Sequence, residues 1–130
     1  MLKKAITYTD FNGNEKTEDF YFNLTKAELI EMEMNTEGGL AEQIQKVIEA
    51  KDNRKIMEIF KNFIVKSYGI KSADGLRFEK SEEISNAFTH SEAYSELFME
   101  LCTNETAAAA FVNGVIPKSI SSQVENKSNK

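Results

Sequence analysis

The sequence predicts an α+β fold: an N-terminal β-hairpin packed on a mostly helical body of about five to six short helices, ending in a flexible polar tail. Three observations carry this. Alternating segments flank Asn12-Gly13, the strongest short-range hairpin signal. From Thr25 onward the apolar residues switch to helical spacing. After Pro117 the composition turns abruptly polar. With 130 residues, 41% of them hydrophobic, the chain is long enough to bury one core without disulfides, so a single domain over 1–117 is expected.

The hairpin is expected over 2–24, with strands at 2–9 and 15–24, and parity bears on its register. A two-residue Asn12-Gly13 loop would set Ile6 and Tyr8 on the face opposite Phe20, Phe22 and Leu24. A three-residue loop, Phe11-Asn12-Gly13, gathers Leu2, Ile6, Tyr8, Phe20 and Phe22 on one face and gives Gly13 a left-handed backbone. A hairpin lying on helices needs one apolar face, and the three-residue loop is therefore expected.

The helical body spans 25–117. Thr25-Lys26-Ala27-Glu28 is a capping box opening a short helix over about 25–34, which Gly38-Gly39 breaks. A second helix places Leu40, Ile44, Val47 and Ile48 on one stripe. The third repeats Ile56, Ile59, Phe60, Phe63 and Ile64 at helical spacing, with Gly69 just past its end. Residues 69–80 read as a loop with the turn signal Asp74-Gly75 and an extended piece at Leu76-Arg77-Phe78. Ser81-Glu82-Glu83 starts a fourth helix with Ile84, Ala87 and Phe88 on its stripe, and Thr89-His90-Ser91 breaks it. The fifth helix turns Tyr94, Leu97, Phe98 and Leu101 inward. Asn104-Glu105 caps a sixth, Ala-rich helix closed by Asn113-Gly114. Residues 118–130 hold only Ile120 and Val124 as apolar groups and are expected to be a disordered tail, because they cannot offset their own ordering entropy.

The charge pattern argues against nucleic acid as a partner. Net charge is −5. Residues 10–42 hold nine acids against two bases, 46–80 nine bases against five acids, and 82–105 six acids and no base. The bases interleave with acids rather than gathering with aromatics, which fits a solvated face with intramolecular or intersubunit complementarity. The N-terminus lacks the apolar stretch of a signal peptide and no apolar run is long enough for a membrane span, so a cytoplasmic protein is expected.

No catalytic constellation emerges. Cys102 and His90, each the only residue of its type, are the only possible thiol and imidazole pair. Cys102 falls on the apolar stripe of the fifth helix and reads as a buried small hydrophobe, while His90 sits at a helix junction as a cap or surface group. The carboxylates Glu18-Asp19, Glu31, Glu33 and Glu82-Glu83 lie on polar faces, without the burial that acid catalysis needs. Gly38-Gly39 and the span Gly69 to Gly75 lack the spacing of phosphate-binding loops. No cofactor or metal is expected. Met32, Met34, Met57 and Met99 offer a soft contact surface, although core gap-filling accounts for at least two of them. Phe111, Val115, Ile116 and Pro117 stand between the last helix and the tail. They either close the core or open as a groove for a partner helix.

Several segments resemble a known family. The run Asp19-Phe20-Tyr21-Phe22-Asn23-Leu24-Thr25-Lys26-Ala27-Glu28-Leu29 resembles the start of tail assembly chaperones from long-tailed bacteriophages of Gram-positive hosts. Lys80-Ser81-Glu82-Glu83-Ile84, Phe88, Ser91-Glu92-Ala93-Tyr94-Ser95-Glu96-Leu97 and Ala109-Ala110-Phe111-Val112-Asn113-Gly114-Val115-Ile116-Pro117 are similar to that family's C-terminal region. The likeness covers roughly residues 5–117. It implies a small non-enzymatic protein that binds the long helical tape measure protein, keeps it soluble and recruits tail tube subunits. It also implies a protein of the infected host's cytoplasm that is missing from the finished virion. In many such phages a frameshift adds a C-terminal domain, and the short tail here matches the unshifted form. Expected partners are the tape measure protein, the tail tube protein and a second copy of the chain, with no nucleic acid and no membrane. No family residue carries over position by position. Two other classes stay open: a head–tail connector or tail terminator subunit, and a small nucleic-acid-binding regulator using the basic 46–80 stretch.

Overall fold

The computed structural model describes residues 1–35 and 53–116, and its architecture is α+β. Strands β1 (Leu2–Thr9) and β2 (Glu15–Phe22) form the N-terminal hairpin, and helix α1 (Lys26–Met34) follows. Helix α2 (Asn53–Ser67) leads into β3 (Tyr68–Lys71) and β4 (Phe78–Glu79), and the chain continues through α3 (Glu82–Thr89), α4 (Glu92–Thr103) and α5 (Glu105–Val115). The four strands make one sheet in the order β1-β2-β3-β4 with antiparallel neighbours.

The hairpin has the three-residue register. Leu2 pairs with Phe22 and Thr9 with Glu15, so one face carries Leu2, Ile6, Tyr8, Phe20 and Phe22 against the helices. Gly13 adopts φ +83°, and the Asp10 carboxylate accepts from the Asn12 and Asn14 amides, which stiffens the turn. β2 ends at Phe22 rather than 24, because Asn23 and Leu24 leave the ladder. The Asn23 amide donates to Ser67 O and the Leu24 amide to Val115 O.

Residues 69–80 depart from the loop expectation. Gly69 does not cap α2 but lies inside β3, where an added Cβ would stand 2.7 Å from the Phe78 ring and 2.8 Å from Glu79 O. Only glycine lets β4 approach this closely. Asp74-Gly75 is the turn of this second hairpin, with Gly75 at φ +77°.

One stripe assignment and one helix end also change. Ala87 is exposed, and α3 instead offers Ser85, whose hydroxyl donates to Val65 O of α2. Asn113-Gly114 does not close the last helix. α5 runs on to Val115, because Leu2 packs directly over Gly114, where a Cβ would meet Leu2 Cδ1 at 2.9 Å. The contact outweighs the poor helix propensity of glycine. The second helix expected over Leu40 to Ile48, the Gly38-Gly39 break and the 118–130 tail lie outside the described residues.

The core sits between the sheet and the helices. Phe22 is its centre, edge-on to Phe88 and Phe111, while Tyr68 stacks on Phe88 at 4.2 Å. Phe63, Ile64, Leu97, Leu101 and Val115 close around it, and among the described residues no buried side-chain polar atom lacks a partner. Full burial of one such side chain stabilises by roughly 1.5–3 kcal/mol. Lys4 Nζ reaches Glu100 at 2.9 Å and ties β1 to α4.

Candidate functional site

The residues that suggested chemistry stay apart. Cys102 is half-buried rather than buried, and that burial pushes its thiol up, away from a reactive thiolate. His90 is exposed and forms the C-cap of α3, its backbone amide donating to Asn86 O. Among the described residues no group of three or more His, Cys, Asp or Glu is placed to hold a metal ion, and no helix is long and apolar enough to cross a membrane.

The shifted groups have structural causes. The Glu28 carboxyl is pushed up by burial, but Lys80 and the Thr25 amide outweigh this and hold it below the usual carboxylate range. Lys80 Nζ donates to both Glu28 oxygens, at 2.9 and 2.8 Å, and to Asn23 O at 2.7 Å. Glu28 also closes the capping box of α1 by accepting from the Thr25 amide. One buried-edge lysine thus clamps the end of the hairpin, the start of α1 and the chain after β4. On the hairpin, a hydrogen bond to Glu18 pushes the Tyr8 phenol up to about 12.

Among the described residues, the bases of the 46–80 stretch do not gather on one face. Lys80 is engaged at the clamp, and Lys71 lies over the Tyr21 ring and donates to Ser72 O. Lys66 lines a small cleft with Leu24, Glu28 and Glu31, and Arg54 and Lys61 flank a different one.

Phe111 and Val115 are closed into the core, Val115 at 0% exposure, and Ile116 is half-buried against it. A partner would reach Phe111 and Val115 only by displacing α5. Pro117 lies outside the described residues.

The exposed apolar groups are elsewhere. Met34 is 81% exposed, Met57 and Met99 are exposed, and Met32 alone of the four methionines packs against the core. Met57 lines an open cleft of about 460 Å³ with Phe98 of α4 and the α2 residues Arg54, Glu58 and Lys61. Phe11 (78% exposed) and Leu76 (84% exposed) occupy the two hairpin turns. β1 and β3 run in the same direction, so both turns point the same way, but β3 is short and opens opposite Phe22, so the Leu76 turn falls several residues short of the Phe11 turn. Both turns are braced by side chains: Asp10 pairs with Lys16 in the first, and Asp74 accepts from Ser72 and the Leu76 amide in the second. Neither Phe11 nor Leu76 was singled out by the periodicity, yet a signal existed: a large apolar residue inside a turn whose geometry Gly and Asp already fix.

The described residues form a closed α+β core with several large apolar side chains turned outward. A family model described as phage tail assembly chaperone matches residues 1–130, and the chain belongs to that family, whose members are generally non-catalytic. No curated protein and no solved structure matches it.

Proposed function

We propose that the protein binds the phage's long helical tape measure protein, keeps it soluble before the tail assembles, and brings tail tube subunits to it. Outward-facing apolar side chains on a closed core support this reading, above all Phe11 and Leu76 in two turns that point the same way. A long amphipathic helix aggregates through its apolar stripe, and rigid apolar anchors that cover the stripe compete with self-association. The stiffened turns lower the ordering cost of such contacts. The protein then acts in the cytoplasm of the infected host and leaves before the virion is complete.

Co-expression with the tape measure protein tests this. The soluble fraction of that partner should rise with the chaperone present and fall when Phe11→Ser and Leu76→Ser are combined, with an unchanged melting temperature. A partner that stays insoluble in both cases refutes the reading. Recovery of the chain from purified virions in stoichiometric amount would favour a structural tail subunit instead.

A further inference from the structure

We propose that β1 takes up an extended segment of a partner protein as an added edge strand, one in which basic residues alternate with apolar ones. The hydrogen-bond parity of the hairpin shows what β1 offers. The Asp10 amide donates to Asn14 O at 2.9 Å, which makes Asp10 and Asn14 a bonded pair of the ladder. Bonded and non-bonded pairs alternate in an antiparallel ladder. Lys4, Ile6 and Tyr8 therefore turn their backbone groups to β2, and Lys3, Ala5, Thr7 and Thr9 turn theirs away. β2 obeys the same parity: Tyr21, opposite Lys3, pairs outward with Gly69 of β3, and the Asn23 amide donates to Ser67 O. β1 ends the sheet, and among the described residues no strand pairs with its outer edge. Lys3, Ala5, Thr7 and Thr9 are all exposed.

Edge strands of soluble proteins are commonly guarded by charges, proline or a bulge. β1 has no charge or proline from Ala5 to Thr9, and its register against β2 is unbroken. β2, by contrast, carries Glu15, Lys16, Glu18 and Asp19. An unguarded edge of this kind is a template for strand addition, in which backbone bonds supply affinity and alternate side chains supply selectivity. On the exposed face, Ala5 lies opposite Asp19 and Thr9 opposite Glu15, and Glu15 has no ion-pair partner among the described residues. Ala5 and Thr9 are small, so a lysine or arginine beside either can lay its stem across β1 and bring its charge toward the acid behind. On the helix side the neighbours are Ile6 and Tyr8, both part of the core packing, and they favour an apolar residue. Charge on one face and apolar contact on the other thus select a strand that alternates base with apolar group. The inference does not depend on the binding of a helix at Phe11 and Leu76.

Amide hydrogen exchange of the full chain, followed residue by residue by NMR, tests it. The probe is a peptide of alternating Lys and Val with the eight-residue length of β1. In the free chain the Ala5 and Thr7 amides should exchange fast while those of Ile6 and Tyr8 are protected. Saturating peptide should slow Ala5, Thr7 and Thr9 by roughly tenfold or more. A peptide of alternating Glu and Val should bind roughly tenfold more weakly, and added salt should narrow that gap. Thr7→Pro removes an outward donor and spares the bonds to β2, so it should keep the melting transition and lose roughly tenfold or more in peptide affinity. Glu15→Lys, at an exposed residue, should weaken the Lys-Val peptide and strengthen the Glu-Val one, and it carries the test alone if the proline variant does not fold. Ala5, Thr7 and Thr9 amides already protected in the free chain overturn the inference, because the chain itself or a second copy then covers the edge. A Lys-Val peptide that does not bind, or binds without slowing those amides, also overturns it. So does an affinity indifferent to either folded variant or to the sign of the peptide's charges.

Discussion

Replacing Phe63 with Ala should be among the costliest single changes in the chain. The ring is 2% exposed and meets Phe111 edge-on at 6.2 Å. Its removal forfeits the transfer energy of a whole aromatic side chain and opens a cavity walled by a sheet and helices that relax only partly. Such changes cost about 3–5 kcal/mol, and the lost ring pair places this one in the upper half of that range. A domain of this size has a total stability of roughly 5–15 kcal/mol, so about a quarter or more disappears. With a urea slope of about 2 kcal/mol/M, the midpoint should fall by about 2 M at unchanged slope. Phe60→Ala is the internal control. Sequence periodicity ranks the two phenylalanines alike, but Phe60 is only half-buried and its loss opens no closed cavity, so about 1–2 kcal/mol is expected. Both substitutions gain the same helix propensity, and their difference therefore isolates burial. Equal midpoints for the two variants, or a Phe63→Ala midpoint matching the parent, would refute the packing described for α2.

Gly13→Ala meets no atom within 4 Å and should lose only the left-handed backbone penalty, about 1 kcal/mol, whereas Gly69→Ala must displace Glu79 O and should cost about 2–3 kcal/mol in the same denaturation assay. The depressed Glu28 carboxyl contributes stability that is fully present above its unfolded value near 4.5 and is lost as pH falls through the lower folded value. Lys80→Met should therefore flatten the acid limb of the stability profile below pH 4.5, and an unchanged acid limb in urea titrations would show that the clamp is not what holds Glu28 down. Ultraviolet titration should show one phenol ionising near pH 12, and Glu18→Gln should bring it back toward the ordinary tyrosine range.

Elements governed by local rules were legible in the sequence. The Thr25 capping box, the Ser81, Ser91 and Asn104 caps and the parity of the hairpin depend on residues a few positions apart, and each is found as read. What the sequence hid depends on distant partners. Gly69 looks like a helix stop until Phe78 and Glu79 return to pair beside it, and Gly114 looks like one until Leu2, from the other end of the chain, lies over it. Ala87 and Cys102 sit at apolar positions of a helical wheel, but the neighbours that would cover them are set by tertiary packing. The surface was less legible still. Periodicity reports which residues face inward, and the side chains that distinguish this exterior, Phe11, Ile30, Met34 and Leu76, are apolar groups outside any inward stripe.

The seat of Leu2 on Gly114, together with the Leu24 amide bonded to Val115 O, brings the first strand and the last helix to a common corner. Joining the described ends by a short peptide would close little extra loop, and new ends could be opened in the 72–77 turn without cutting a core contact. The order of segments along the chain is thus separable from the fold itself. The same corner sets the start of β1 beside the end of α5, at the opposite end of the first hairpin from Phe11.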